Sequence, residues 1–552
     1  MELTEALLKQ NTDKNDLESK GGLDFETYEA LQRRGEIHQQ NLMEYKQEIK
    51  SYYGSLKNAP KSVGPCQKID PVIGTKNAIV LLAEFKDVKH SNEANAFKDL
   101  FFNKDNKQSL RNYYLEASWN QLDINGDVDE KWHTLNNNRT DYLDDPTNFH
   151  YPKAQKLVIE TIEMAKNSGN IDFSPYAKDG KIEMLIIVYS GIGQDTKLNI
   201  NYIRPHHYHL LEPLEVQEGI FADNYIIIPE LPIYDVGCIC HEVGHILGLP
   251  DLYLDNYGPI VGSWCLMGVG CWNNEGRTPA HPSAWCKLHL GWTEPKLLDQ
   301  IPQLQDIPAV IDDKTIYKVL VQDSDGKEYF LLENRQQKGF DEYLPSNGLL
   351  IWHVDETACI KQNPNFDPNH FFMTLKQSNG KNDLAENRIE IIKRAKAGDK
   401  PPKGAGGDEG DPFPGITVNR TFNDYSNPNS RTYNDNSSFV EVVSISDSNK
   451  LMNAQIGISL NSDSLEMQYK PGIDSKTTDQ EKQEIINLYF INLLLFHQKE
   501  KNSYDDGVAN GRKECLEELI DEEYLNFFQN GYCRGYSQGY EEGRKFLKKF
   551  IQ

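Results

Sequence analysis

Short apolar runs alternate with amphipathic stretches through the first half of the chain. Residues 78–85, 182–189 and 225–228 are continuous apolar runs with the length of buried strands. Helical spacing marks residues 109–117 and 151–167, and residues 121–128 alternate like a strand. Strands interleaved with helices predict an α/β sandwich over this part of the chain.

Beyond residue 292 the helical signals thin out and strand signals dominate. The strand-like segments, each bounded by polar turns, are residues 315–322, 329–332, 349–354, 439–446 and 452–460. Residues 398–415 are dense in Gly, Pro and Asp, which predicts an irregular loop. This half of the chain is therefore predicted to be β-rich.

These changes in pattern divide the chain into five parts. Residues 1–73 are polar with a helical pattern and are placed like a pro-segment. The α/β part covers residues 74–295, and the β-rich part, predicted to pack on it, covers residues 296–460. A polar linker at 461–480 leads to a helical tail at 481–552.

The tail carries glycines on one four-residue register: Gly507, Gly511, Gly531, Gly535, Gly539 and Gly543. Glycine weakens helices, so its repetition on one ridge indicates close helix packing. Because such a ridge winds around an ideal helix, we expect a break near residues 526–530 and packing against residues 484–497. The tail is either a helical hairpin docked on the rest of the chain or a module for a protein partner or self-association.

Charge and composition exclude several classes of protein. The 552 residues carry a net charge of −25, which argues against nucleic acid and anionic membrane surfaces as partners. No apolar run reaches the length of a transmembrane segment. The N-terminus lacks the basic and apolar regions of a secretory signal. Cytoplasmic residence is therefore predicted, and export by a route without a cleaved N-terminal signal is the alternative. The nine scattered cysteines are interpreted as reduced, buried thiols.

One motif in the α/β part carries chemistry. His241 and His245 are four residues apart, so on a helix their imidazoles can converge on one metal ion. Gly248 permits a sharp helix exit, after which Asp251 can return as a third ligand. Three protein ligands with one open position are typical of a catalytic zinc site.

Glu242 stands beside the first histidine, within reach of a metal-bound water. This arrangement predicts a zinc endopeptidase in which Glu242 is the general base and proteins or peptides are the substrates. The alternative is an inactive or weakly active zinc-stabilised scaffold whose helical tail binds a protein partner. A third hypothesis concerns latency: the thiolate of Cys66, just before the α/β part, would occupy the open zinc position.

Together with Asp251-Leu252-Tyr253, the zinc motif resembles that of the immune-inhibitor-A type of secreted metalloprotease, a branch of the metzincins. The resemblance extends over about residues 74 to 460. Similar blocks include Tyr113–Ser118, Trp264–Gly268, Leu332–Arg335, Gly348–Asp355 and Gly407–Gly415. The tail is similar in part to the deca-GX3 helical modules.

The resemblance implies an α+β fold: a metzincin-like protease domain with an attached β-rich region, to which the tail adds a C-terminal helical module. It implies that Met267 is the methionine of the Met-turn, packing beneath the zinc site rather than binding the metal. It also implies calcium, with Asp408 and Asp411 as oxygen ligands. His206, His207 and His209 lie near the expected substrate-edge strand and are interpreted as part of a solvated loop.

Overall fold

The computed structural model describes residues 69–144, 151–193, 202–233, 235–253, 260–359, 365, 370–385 and 406–459. The predicted linker and helical tail lie outside these residues, as do Cys66 and nearly all of the N-terminal segment. Among the described residues, no helix is long and apolar enough to cross a membrane.

The α/β part is built on a seven-stranded sheet in the order β2-β1-β5-β7-β4-β3, with β6 also paired to β7. Its central strands run parallel, and β6 is antiparallel to β7. The strands are β1 (Gly74–Glu84), β2 (Leu122–Thr134), β3 (Ala177–Lys178), β4 (Lys181–Ile182), β5 (Met184–Ile192), β6 (His206–Gln217) and β7 (Ile220–Leu231). The apolar runs and the alternating segment thus coincide with β1, β2, β5 and β7, which confirms these predictions.

Helices cover both faces of this sheet. They are α1 (Ala94–Phe102), α2 (Leu110–Ala117), α3 (Pro152–Ser168), α4 (Val236–Ile246) and α5 (Ala284–His289). Along β1, Val80 and Leu82 belong to the same core as α1, α2 and α4, whereas Ile79 and Leu81 belong to the core formed with α3. A parallel strand buried on both faces reads as a continuous apolar run, which explains the sequence pattern.

Two further sheets form the β-rich part. One has the order β13-β12-β11-β10-β8 and the other the order β14-β15-β16-β9. The strands are β8 (Lys296–Leu297), β9 (Gln303–Pro308), β10 (Tyr317–Leu320), β11 (Glu328–Arg335), β12 (Gly348–Asp355), β13 (Met373–Leu375), β14 (Thr421–Phe422), β15 (Val440–Val443) and β16 (Leu451–Ile458). The described part of the predicted 398–415 loop contains no helix or strand.

The five-stranded sheet joins the two parts of the chain. On β11, Tyr329 and Leu331 pack into the core that contains α4, and Phe330 and Leu332 pack against the four-stranded sheet. Side chains alternate across a strand, so each face of β11 serves a different core. The β-rich part therefore shares its apolar core with the α/β part.

The interpretation of His206, His207 and His209 as a solvated loop is wrong, because all three lie in β6. His206 is buried: its ring stacks on Tyr151 with centroids 4.1 Å apart and meets the edge of Tyr225. Aromatic contacts replace water around this imidazole, and a local polarity pattern does not reveal them.

The cysteines follow the expectation only in part. Cys238, Cys240, Cys265, Cys271 and Cys286 are free and buried, as predicted. Cys359 is disulfide-bonded. The expectation that the thiols are all reduced is therefore wrong at Cys359.

Candidate metal centre

Helix α4 carries the histidine motif and is defined at both ends by its sequence. At its start, the Asp235 side chain accepts a hydrogen bond from the backbone N–H of Cys238 (3.0 Å) and so caps the helix. At its end, Gly248 has a φ of +106°, a conformation that favours glycine. The chain turns there and brings Asp251 back towards the helix.

The three predicted ligands converge. The Oδ1 atom of Asp251 lies 3.1 Å from the Nε2 atom of His241 and 3.4 Å from the Nε2 atom of His245. A tetrahedral zinc site with bonds of about 2.0–2.2 Å separates its ligand atoms by roughly 3.4 Å. Among the described residues, these three form the one group of at least three His, Cys, Asp or Glu ligands within 4.8 Å of one another. Their spacing fits Zn²⁺.

Backbone carbonyls orient both imidazoles. The Nδ1 atom of His241 lies 3.0 Å from the carbonyl oxygen of Leu266, and the Nδ1 atom of His245 lies 2.8 Å from that of Leu249. A carbonyl oxygen only accepts, so each Nδ1 carries the hydrogen and donates it. The lone pair of a neutral imidazole is then on Nε2, which faces Asp251. This is the orientation of a metal-ligating histidine.

The buried charges of the centre depend on one another. Burial disfavours charged imidazoles, but the Asp251 carboxylate overcomes this and raises the pKa of both His241 and His245. Burial likewise disfavours a carboxylate, yet the two histidines hold the pKa of Asp251 well below its ordinary value. Asp251 is therefore the anion around which a cation, whether a proton or a metal ion, is held.

Glu242 is buried beside this cluster. Burial raises its pKa, and the neighbouring His245 and His241 act in the opposite direction. A carboxyl group whose pKa is raised above its ordinary range holds a transferred proton more readily. This property suits a group that takes a proton and later returns it.

Met267 is fully buried beneath the helix, as the family resemblance implies. Its sulfur lies so close to Gly244 that a Cβ atom built there would be 2.7 Å away. Its carbonyl oxygen accepts a hydrogen bond from the N–H of Leu252 (2.9 Å), next to Asp251. The turn at 262–268 thus contacts both the helix and the segment that carries the third ligand.

The sequence did not reveal several neighbours of the centre. The hydroxyl of Tyr114 donates to the carbonyl oxygen of Cys240 (2.7 Å), which ties α2 to α4. The rings of Tyr253 and His207 stack near His241 and His245, respectively, with centroids 6.1 Å apart in each pair. Tyr114 belongs to the block that resembles the metalloprotease family, which was the available signal. His207 lies on β6, so its proximity depends on the sheet topology.

The expectation that Asp408 and Asp411 bind calcium stays a prediction, and both side chains already accept hydrogen bonds within the protein. The Asp411 carboxylate accepts hydrogen bonds from the indole N–H of Trp264 (2.8 Å), the Gln377 side chain (2.7 Å) and the N–H of Asp408 (3.0 Å). The Oδ1 atom of Asp408 accepts from the N–H of Gly410 (2.7 Å). Each of the two carboxylates therefore has a protein N–H donor on at least one of its oxygens.

Part of the chain that carries this centre is similar to a known family of proteins. Residues 74–293 match the immune inhibitor A peptidase M6 catalytic domain. Immune inhibitor A of Bacillus thuringiensis subsp. alesti is 29% identical over 36% of this chain and 37% of its own length. The pre-pro-metalloprotease PrtV of two Vibrio cholerae serotype O1 strains is 28% identical over 36% of this chain and 26% of its own length.

These matches confirm the family resemblance inferred from the sequence, and the mixed helices and sheets agree with an α+β protease domain of that family. The chain spans about a third of the length of the curated relatives that it matches.

Proposed function

We propose that this protein is a zinc-dependent endopeptidase in which His241, His245 and Asp251 hold the metal and Glu242 is the general base. The observation that carries the proposal is the convergence of two Nε2 atoms on one carboxylate oxygen. The match to a metalloprotease catalytic domain supports the same reaction class. The resemblance of the turn around Met267 supports assignment to the metzincin branch.

When bound, Zn²⁺ would polarise the scissile carbonyl group and make a water molecule more acidic. Glu242 takes the proton of the attacking water and returns it to the leaving amine. The carbonyls of Leu266 and Leu249 keep the two imidazoles in the tautomer that leaves Nε2 free. Burial of His241 and Glu242 excludes bulk water from the reacting groups.

The substrate that fits this centre is a peptide in an extended conformation. Strand β6 pairs with β7 on one side, and no other described strand pairs with it. An open strand edge can bind a peptide as an added strand. His207 of β6 lies next to His245, so a peptide along this edge would pass the metal ligands.

Export is favoured over cytoplasmic residence. Disulfides persist in oxidising compartments, and Cys359 is disulfide-bonded. The name of the Vibrio relative, a pre-pro-metalloprotease, agrees with export of that protein.

The latency hypothesis for Cys66 remains a proposal: Cys66→Ser should raise the activity of the full chain if its thiolate blocks the metal.

Glu242→Gln tests the reaction. This change keeps the shape of the side chain but removes its basicity, so cleavage of casein should fall by about 10²–10⁴-fold while the zinc content, measured by mass spectrometry, stays at the wild-type level. Glu130→Gln, at an exposed position on β2, is the matched control and should retain full activity. Cleavage by Glu242→Gln at the wild-type rate would exclude the mechanism.

A further inference from the structure

Trp264 connects the turn beneath the metal centre to the β-rich part of the chain. It is fully buried, and its indole N–H donates to the Oδ2 atom of Asp411 (2.8 Å). Its carbonyl oxygen accepts a hydrogen bond from the Nη1 atom of Arg335 (3.0 Å). Both partners lie outside residues 74–293, the segment that matches the catalytic domain.

The same turn holds two of the three proposed ligands. Two residues after Trp264, the carbonyl oxygen of Leu266 orients His241. The next carbonyl, that of Met267, accepts from the N–H of Leu252 and so fixes the backbone beside Asp251. A displacement of Trp264 would therefore reach His241 and Asp251 through a short stretch of main chain.

The groups that hold Trp264 are themselves fixed. Arg335 and Asp341 are buried and joined by two hydrogen bonds, from Nε (2.8 Å) and from Nη2 (2.6 Å) of the guanidinium. Asp411 is buried and also accepts from Gln377. The paired charges of Arg335 and Asp341 hold one geometry, because any displacement would leave a charge unpaired. Hydrogen bonds from neutral donors hold the Asp411 carboxylate.

We propose that Asp411 and Arg335 are positioning residues of the metal centre and act on His241 and Asp251 through Trp264. The inference rests on the proposed function, since it concerns the affinity of the same three ligands for zinc. Groups that orient metal ligands without touching the metal commonly change its affinity by about 10–100-fold. The β-rich part would thus set the metal affinity of a centre whose ligands all belong to the α/β part.

Trp264→Phe tests the proposal, because it removes the indole donor and leaves an aromatic ring in place. Trp292→Phe is the matched control: Trp292 is also fully buried, and its indole N–H donates to the carbonyl oxygen of Val72 (2.9 Å), which belongs neither to the Arg335–Asp341 pair nor to the partners of Asp411. Zinc affinity of the full chain is measured by chelator competition, and thermal unfolding is measured on the metal-free protein. We expect both variants to lose similar stability, and Trp264→Phe alone to bind zinc about 10–100-fold more weakly.

Equal weakening of zinc binding in both variants would show a general effect of instability and overturn the proposal, as would unchanged affinity in Trp264→Phe. Asp411→Asn provides a second approach to the same bond. If Asp411 acts through Trp264, the double variant should bind zinc no more weakly than the weaker-binding single variant, and additive losses would contradict the proposal. Failure of the wild-type chain to bind zinc would instead refute the proposed function.

Discussion

Two clusters of acids and bases contact the turn at 262–268, one fully buried and the other partly exposed, and they differ in the atoms that their carboxylates face. In the Arg335 network, defined here as Arg335, Asp341, Glu333 and His281, the Asp341 carboxylate faces N–H groups: two from Arg335 and the backbone N–H of His281 (2.9 Å). In the proposed zinc-ligand group, His241, His245 and Asp251, the Asp251 carboxylate faces the Nε2 atoms of the two imidazoles. The Nδ1 hydrogens of these imidazoles point to backbone carbonyls.

The comparison shows that burial and charge do not by themselves mark a functional site. Both clusters place a carboxylate that is at least partly buried beside basic groups. Arg335 brings its own hydrogens to Asp341, so that pair is complete without any other species. In their neutral form the two imidazoles would direct Nε2 lone pairs at Asp251, and three acceptors around one point need a cation, either a proton or a metal ion. The direction of the N–H groups separates a structural pair from a ligand set.

Asp341→Asn should produce the largest loss of stability. It leaves the buried Arg335 guanidinium without its anion, and breaking a buried pair costs about 3–5 kcal/mol. The free energy of unfolding, obtained from denaturant titration at pH 7, measures this effect. A loss below about 1 kcal/mol would mean that the Arg335–Asp341 pair does not stabilise the fold, and the contrast with the proposed zinc ligands would fail.

His245→Ala should weaken zinc binding strongly and affect the stability of the metal-free protein less than Asp341→Asn does. Loss of one of three protein ligands should weaken zinc binding by roughly 100-fold or more, since ligand contacts carry much of the binding free energy of a zinc site. The metal-free protein should not lose stability to the extent of Asp341→Asn, because Asp251 keeps His241 as a partner. Chelator competition measures the zinc affinity, and thermal unfolding without metal measures the stability. Strong destabilisation of the metal-free variant would show that His245, like Asp341, mainly stabilises the fold.

The pH dependence of stability sharpens the comparison. Burial opposes ionisation of Asp341, but Arg335 and His281 lower its pKa from the ordinary 3.8 to about 2. A depressed pKa gives stability that is present above pH 3.8 and lost as the pH falls towards 2. The difference in unfolding free energy between the wild type and Asp341→Asn should therefore shrink by about 2 kcal/mol between pH 5 and pH 2. A difference in unfolding free energy that stays constant with pH would contradict the lowered pKa of Asp341.

Lys98→Ala should have the smallest effect. Its amino group lies 2.8 Å from Asp127, but both side chains are more than half exposed. Exposed ion pairs contribute about 0–1 kcal/mol and weaken with salt. Denaturant titration at low and at high salt measures the contribution, and a loss similar to that of Asp341→Asn would show that burial does not separate the two kinds of pair.

Local sequence patterns were enough to predict that His241, His245 and Asp251 converge, but not which residues support them. His241 and His245 share a helix turn, and Gly248 indicates the return of Asp251, so the ligand set follows from neighbours along the chain. Arg335 meets Trp264 across 71 residues, and Asp411 meets it across 147. Asp411 lies in a Gly-rich loop, and no local pattern indicates that the indole of Trp264 is one of its partners. The antiparallel placement of β6 likewise depends on the whole sheet.

Strand β11 limits which changes of length the chain can accept during evolution. Its odd-numbered positions, Tyr329 to Arg335, face the α/β part, and its even-numbered positions face the four-stranded sheet. Inserting or deleting one residue within the strand would exchange the two faces. Asn334 or Gln336 would then stand beneath Trp264 in place of Arg335. Insertions should therefore accumulate in the loops around β11. Proteins of this kind that keep helix α4 should also keep the length of this strand.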